Sequence, residues 1–331
     1  MKTFALALAA TLATCGGAFA APVDALYSSF IVFGDSLSDD GNLFALTGQP
    51  RAPYFDGRFS NGPVWAETVA DRFAISENFA FGGAGAAING DGVPDFGAQV
   101  SGYLTSPLAT VAGPRPLASV WFGANDLFAG IATGTVPEAI EMAMTAIVSG
   151  VAALQAKGVS DFVLFELPDL GDTPLYNLIF PPASPGASAA SEAFNVALSG
   201  LADGLADRGA NVSLVRTSAL FDDLLNDPMA YGLGEATLPC LFLNRNADVQ
   251  AAATATAEAL SQPLVCDADS AQERVFFDLV HPNSAVHAAL AENVLTELET
   301  MSVSPVPVPA SLPLVLVALA TFGLVRRRVV R

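Results

Sequence analysis

Short apolar runs alternate with segments of helical period along most of the chain. Five runs read as strands: residues 29–33, ending in Gly34-Asp35-Ser36; 74–80, running into Gly82-Gly83; 118–122, ending at Gly123; 162–167, stopped by Pro168; and 212–215. Ile140, Met144, Ile147, Val151 and Leu154 recur every four then three residues, and Phe194, Leu198, Leu201 and Leu205 do much the same, which predicts two helices with one core-facing stripe each. A last helix is expected over residues 283–298, entered through Pro282. Strands alternating with helices imply an α/β fold on a mainly parallel five-stranded sheet. Residues 218–276 break the rhythm and read as an insertion. No internal repeat is visible, and the body, residues 21–301, reads as one domain.

The two ends do not follow this pattern. Lys2, an apolar stretch at residues 4–13 and the small–x–small triplet Ala18-Phe19-Ala20 predict a signal peptide over residues 1–20, cut to leave Ala21 first. Leu12-Ala13-Thr14-Cys15 makes a poor lipobox, because Thr14 stands where Gly, Ala or Ser belongs. At the other end, residues 302–310 form a proline-rich hinge that cannot continue a helix. The apolar run 311–325 is shorter than the ~20 residues that span a bilayer comfortably. Arg326-Arg327-Arg328 and Arg331 after it nevertheless fit a stop-transfer segment with its basic end inside. Val306-Pro307-Val308-Pro309-Ala310 resembles the VPLPA-CTERM class of bacterial sorting signals, relatives of PEP-CTERM, with Val308 where Leu is usual. The resemblance implies a 302–331 sorting tail: export, transient membrane anchoring, and removal by an exosortase-type enzyme after signal peptidase has cut the leader. The destination would be the cell envelope, the surface or the extracellular matrix. Export makes Cys240 and Cys266 a disulfide, since Cys15 leaves with the leader; two free buried thiols are the other reading.

Charge narrows the partners. The body holds 9 of the 14 Lys and Arg against all 33 Asp and Glu, a net −24 where the whole chain has −19. Such a surface repels polyanions, so no nucleic-acid partner is expected. At 52% hydrophobic and 14% charged residues the chain can bury a sizeable core. Three cysteines and two histidines exclude heme, iron–sulfur and zinc-ribbon patterns. Gly83-x-Gly85-x-x-Ile88 fails the dinucleotide fingerprint, and there is no His-Glu-x-x-His. Asn89-Gly90-Asp91-Gly92 fails the EF-hand spacing and reads as a turn. Neither metal nor cofactor is expected.

In an open parallel sheet, ligands bind beyond the carboxyl ends of the strands, and the residues with chemistry to offer stand there. Ser36 follows the first strand on a glycine-containing turn, although Gly34-Asp35-Ser36 alone is equally a turn or helix cap. A serine nucleophile needs a base near neutral pH, usually a neutral histidine, and that histidine needs an acceptor to fix its tautomer. Asp278-Leu279-Val280-His281 supplies both, with His281 the candidate base and Asp278 its orienter. His287, the other histidine, reads as a helix side chain. Asn125, in Gly123-Ala124-Asn125-Asp126, has an amide suited to an oxyanion hole, and Gly83 offers an N–H with no side chain in the way. An Asn-Asp turn and a glycine-rich packing loop are the plainer readings of those two.

Taken together and in order, these four pieces resemble the GDSL, or SGNH, hydrolase family. The blocks are Phe33 through Asp39, Asn78 through Gly83, Gly123 through Asp126, and Phe277 through Pro282, and the resemblance spans about residues 29–298. It implies a three-layer α/β/α sandwich resembling flavodoxin, with Ser36 as nucleophile, His281 as base and Asp278 as orienter. The oxyanion donors would be the Ser36 and Gly83 N–H groups and the Asn125 side chain. Arg58-Phe59-Ser60-Asn61-Gly62-Pro63-Val64-Trp65 looks like the signature of a bacterial phospholipase, lecithinase and hemolysin branch. His281-Pro282-Asn283-Ser284 followed by His287 fits it too, with Asn283 where Thr is usual. Trp65 reads as core, while Arg58 is substrate-lining or structural. The expected activity is an exported serine esterase or lipase acting on a lipid, short-chain or polysaccharide ester. An acyltransferase or polysaccharide deacetylase with the same triad, and an inactive matrix protein on the same fold, are the alternatives.

Overall fold

The structure is a computed structural model that describes residues 23–241 and 273–303. The expected leader (residues 1–20), nearly all of the expected sorting tail (302–331) and Cys266 lie outside those residues. The sheet has five strands, β1 (Ser29–Gly34), β2 (Ser76–Asn78), β3 (Pro116–Trp121), β4 (Asp161–Phe165) and β5 (Asn211–Val215). They pair in the order β2-β1-β3-β4-β5, every pair parallel. Parallel strands covered on both faces need apolar residues at successive positions, and β1, β3 and β4 are buried throughout. β2 is shorter than the apolar run suggests because Ser76 and Glu77 are exposed at the sheet edge. Its pairing still extends further: Phe30 donates to Ile75, Phe79 to Val32 and Phe81 to Gly34.

The main helices are α1 (Asn42–Thr47), α2 (Trp65–Ala70), α3 (Phe96–Thr105), α4 (Ala124–Thr133), α5 (Val136–Ala156), α6 (Ser184–Asp207), α7 (Thr217–Asn226) and α8 (Ser284–Val303). Successive strand side chains point to opposite faces, and β1 shows the consequence. On one face Phe30 meets Trp65 edge-on at 6.3 Å and stacks on Phe73 at 5.1 Å. On the other, Phe33 stacks on Phe79 and meets Phe96 edge-on, both at 5.7 Å. Each such ring pair adds about 0.5–1.5 kcal/mol beyond the area it buries. Helices α2 and α8 pack together on the first face, and α3, α5 and α6 lie side by side on the second. The result is the three-layer sandwich.

Local sequence sets the helix ends. Pro137 sits in the first turn of α5, where a missing N–H costs nothing. Gly134, left-handed at φ 74°, ends α4. The Asn283 side chain accepts the Val286 N–H at 2.9 Å and caps α8, so the residue that stands in place of Thr does a cap's work. Helix α7 occupies the start of the segment read as an insertion, burying Leu220, Phe221 and Leu224. Cys240 is fully buried in a small second core with Leu43, Tyr54, Phe59, Leu241 and Phe277.

Candidate active site

Strand order reverses between β1 and β3, with β2 on one side of β1 and the rest of the sheet on the other, which opens a crevice at their carboxyl ends. Ser36 lies there, two residues past β1. The Asp35 carbonyl accepts N–H groups from both Ser38 and Asp39 at 3.0 Å, closing a tight turn around it. A Cβ on Gly34 would sit 2.8 Å from that of Ser38, so only glycine lets the chain turn here. Gln99 of α3 clamps both backbone groups of Gly34, accepting its N–H at 3.1 Å and donating to its carbonyl at 2.8 Å.

Ser36, His281 and Asp278 form a continuous hydrogen-bonded chain. Ser36 Oγ is 2.8 Å from His281 Nε2, and His281 Nδ1 is 2.7 Å from Asp278 Oδ2. An ionised carboxylate only accepts, so Nδ1 carries the proton and Nε2 is left to accept the serine hydroxyl. Burial alone would raise the Asp278 carboxyl. The charge of His281 and hydrogen bonds from His281, Tyr54 and Val280 outweigh it and hold the group below its ordinary value. Asp278 Oδ1 accepts the backbone N–H groups of Val280 at 2.9 Å and His281 at 2.7 Å, which ties the loop to the carboxylate. Next to the serine, burial pushes Asp35 up to about 7 against the pull of the Leu37 amide and of His281.

Asn125 lines the same cavity as Ser36 and His281, and Gly83 lines a second cavity that Asn125 also borders. Among the described residues the N–H groups of Ser36 and Gly83 donate to no acceptor, which leaves both free for a ligand. Asn125 Nδ2 donates one hydrogen to the Ala84 carbonyl at 2.9 Å, which orients the amide and leaves its second hydrogen available. Three carboxylates grip the backbone of the glycine loop from different elements. Asp39 accepts from Gly82 at 2.7 Å, Asp95 from Gly85 at 2.8 Å and Asn89 at 3.0 Å, and Asp126 from Ala86 at 2.9 Å and Ala87 at 3.0 Å. Burial holds all three carboxyls above their ordinary value, and these amides offset only part of it. The loop is therefore fixed before any substrate arrives, as electrostatic stabilisation of a transition state requires.

Two sequence candidates fall outside this arrangement. Arg58 pairs with Glu67 at 2.6 Å and caps the Asp56 carbonyl, so its role is structural. His287 is buried, accepts the Trp65 N–H on Nδ1 at 3.3 Å, and is pushed down to about 3 by burial and by His281. It is neutral and belongs to the packing of α8 on α2. Its neighbours in the Arg58–Trp65 stretch support the base instead. Ser60 donates to the Pro282 carbonyl at 3.0 Å, Asn61 accepts the Ser284 N–H at 2.8 Å, and the Phe59 ring lies 4.9 Å from that of His281. Gly82 must be glycine because a Cβ would lie 2.1 Å from the Phe59 ring. No periodicity marks Tyr54, Gln99 or Asp95: the partners of Tyr54 and Gln99 lie 224 and 65 residues away, and Asp95 holds amides 6 and 10 residues before it. The only local signal for Tyr54 is its place four residues before Arg58.

One cavity adjoins the serine and a larger one adjoins the oxyanion candidates. The first, about 40 Å³, is lined by Ser36, His281, Leu37, Phe128, Phe221 and Val280. The other, about 330 Å³, is lined by Gly83, Asn125, Ile88, Phe128 and Met142. Asn125 and Phe128 belong to both. Among the described residues no group of three or more His, Cys, Asp or Glu is placed to hold a metal ion.

A sequence model of the GDSL-like Lipase/Acylhydrolase family matches residues 30–294. The chain belongs to that family of ester hydrolases. A thermolabile hemolysin of Vibrio parahaemolyticus is 34% identical over 80% of this chain and 62% of the hemolysin, so the chain spans less than two thirds of that relative. A phosphatidylcholine-sterol acyltransferase of Aeromonas hydrophila is 29% identical over 83% of this chain and 91% of its own length. An acetylesterase of Thermothelomyces thermophilus is 30% identical over 74% and 90%. The GDSL family match runs from β1 into α8 and so takes in every residue of the hydrogen-bonded chain.

Proposed function

We propose that this GDSL-family chain cleaves carboxylic esters through an acyl-Ser36 intermediate. The observation that carries the reading is the buried Ser36–His281–Asp278 chain at 2.8 and 2.7 Å, with Asn125 lining the same cavity. Ser36 Oγ attacks the ester carbonyl carbon as its proton passes to His281 Nε2. The negative charge moves onto the carbonyl oxygen, where Ser36 N–H, Gly83 N–H and the Asn125 amide receive it. The tetrahedral species collapses, the C–O bond to the alcohol breaks, and the alcohol leaves with the proton from His281. Water then repeats the sequence on the acyl-serine and releases the acid.

Transfer of the acyl group to an alcohol in place of water is the second reading, favoured by the acyltransferase relative, which this chain matches over 91% of its length. Purified protein is expected to release nitrophenol from p-nitrophenyl esters between acetate and palmitate, and the chain-length profile reads the acyl group it accepts. Adding an alcohol acceptor and following the acyl product separates hydrolysis from transfer. A folded protein that turns over none of these esters would remove support for this reading. Export belongs to the same proposal: a leader cut before Ala21, a tail from residue 302 serving as a transient anchor, and a Cys240–Cys266 disulfide formed outside the cytoplasm.

A further inference from the structure

Tyr54 reaches the site across 224 residues of sequence. Its Oη donates at 2.6 Å to Asp278 Oδ2, the same oxygen that accepts His281 Nδ1–H at 2.7 Å. Tyr54 is 4% exposed and Asp278 fully buried, and the tyrosine ring is held edge-on by Phe59 at 6.0 Å and Phe277 at 5.3 Å. Phe59 in turn lies against the imidazole. The carboxylate thus receives Val280 and His281 N–H on one oxygen, and Tyr54 and the imidazole on the other. Three of those donors come from the carboxylate's own turn, and Tyr54 comes from a separate loop. Among these donors, Tyr54 is therefore the one that can be altered without touching the turn that carries His281.

Resting on the hydrolase reading above, we propose that Tyr54 is a positioning residue that sets the basicity of His281 by sharing the Asp278 oxygen that faces the imidazole. A hydroxyl donating to that oxygen takes up part of its negative charge. Less charge then faces the imidazolium, and the imidazole gives up its proton more readily. Removing the hydroxyl concentrates charge on Oδ2 and stabilises the protonated ring. His281 then takes up a proton at higher pH than in the wild type. Burial and the adjacent carboxylate hold the Tyr54 hydroxyl well above its ordinary range, so it stays a donor throughout. The other titratable groups around the imidazole are Asp35 on the turn after β1, Asp278 on its own turn, and His287 on α8.

The chain has only two histidines, so ¹⁵N-histidine labelling gives two imidazoles, and His287, neutral above about 3, identifies itself. Three proteins are titrated by NMR: wild type, Tyr54→Phe, and a form with 3-fluorotyrosine at position 54. The fluorinated phenol is a stronger donor of nearly the same shape. The expected result is a His281 midpoint raised by roughly half a pH unit or more in Tyr54→Phe and lowered in the fluorinated protein. The acid limb of kcat/KM on a nitrophenyl ester moves with it, while KM changes less than twofold. A packing role alone would move both variants the same way or neither, and either outcome overturns the proposal. If Tyr54→Phe does not fold, the fluorinated protein carries the test alone. The NMR readout needs no turnover, so a failure of the hydrolase reading shows separately, as absent activity with the opposed shifts intact.

Discussion

Replacing Ser36 with Ala lowers kcat on any ester the protein turns over by on the order of 10⁵-fold, with the fold intact. The Ser36 hydroxyl bonds to His281 Nε2, whereas the turn that carries it is closed by the Asp35 carbonyl and clamped by Gln99. Those backbone contacts survive the substitution, and a buried methyl suits a residue that is 6% exposed. What disappears is the covalent route. The remaining rate, at most ~10³–10⁴ above the uncatalysed reaction, comes from the amides and from binding. Steady-state rates on a nitrophenyl ester, with a thermal melt matching wild type, check this. A variant within tenfold of wild type would show that another group attacks the ester.

Asp278→Asn has the next largest expected effect, a loss of about 10⁴-fold in kcat. Here the cause is the tautomer. The two backbone N–H groups of Val280 and His281 point at Oδ1 and hold the asparagine oxygen on that side. Its NH₂ then faces His281 Nδ1, which must accept, and the ring proton moves to Nε2. An Nε2–H cannot take the Ser36 proton. Tyr54 Oη, now opposite a donor, can accept from it but loses the acceptor of its own hydrogen, so the variant is expected to fold with a stability loss of about 1–3 kcal/mol. The check is kcat against the melting temperature. A loss under tenfold in a folded variant would show that the carboxylate does not set the tautomer.

The sandwich was legible because β1, β3 and β4 are covered on both faces and must be apolar at each step, which leaves a run that composition alone picks out. Likewise the stripe at Ile147, Val151 and Leu154 marks the buried side of α5. The regular part of β2, Ser76–Asn78, is shorter than the apolar run at this solvent-facing edge, although hydrogen bonds to β1 continue from Ile75 to Phe81. In the site, the chemically distinctive residues could be read because open parallel sheets gather ligands at strand ends, and Ser36 and Asn125 follow β1 and β3. What holds them could not. The grip of Asp39, Asp95 and Asp126 on the glycine loop, Gln99 on Gly34 and Tyr54 on Asp278 depend on how loops meet in space. In so acidic a chain, three structural aspartates look like any others. Arg58 shows the reverse case, a residue in a distinctive stretch that turns to Glu67 rather than to the crevice.

The central claim is that one serine, Ser36, carries the acyl group. It is tested most directly by treating the protein with a fluorophosphonate, which phosphonylates an activated serine and leaves ordinary hydroxyls alone, and by mapping the adduct with peptide mass spectrometry. The expected result is one adduct per chain, on the peptide holding Ser36, with loss of ester turnover in proportion to labelling. An adduct on another residue, or full turnover with Ser36 labelled, would contradict it.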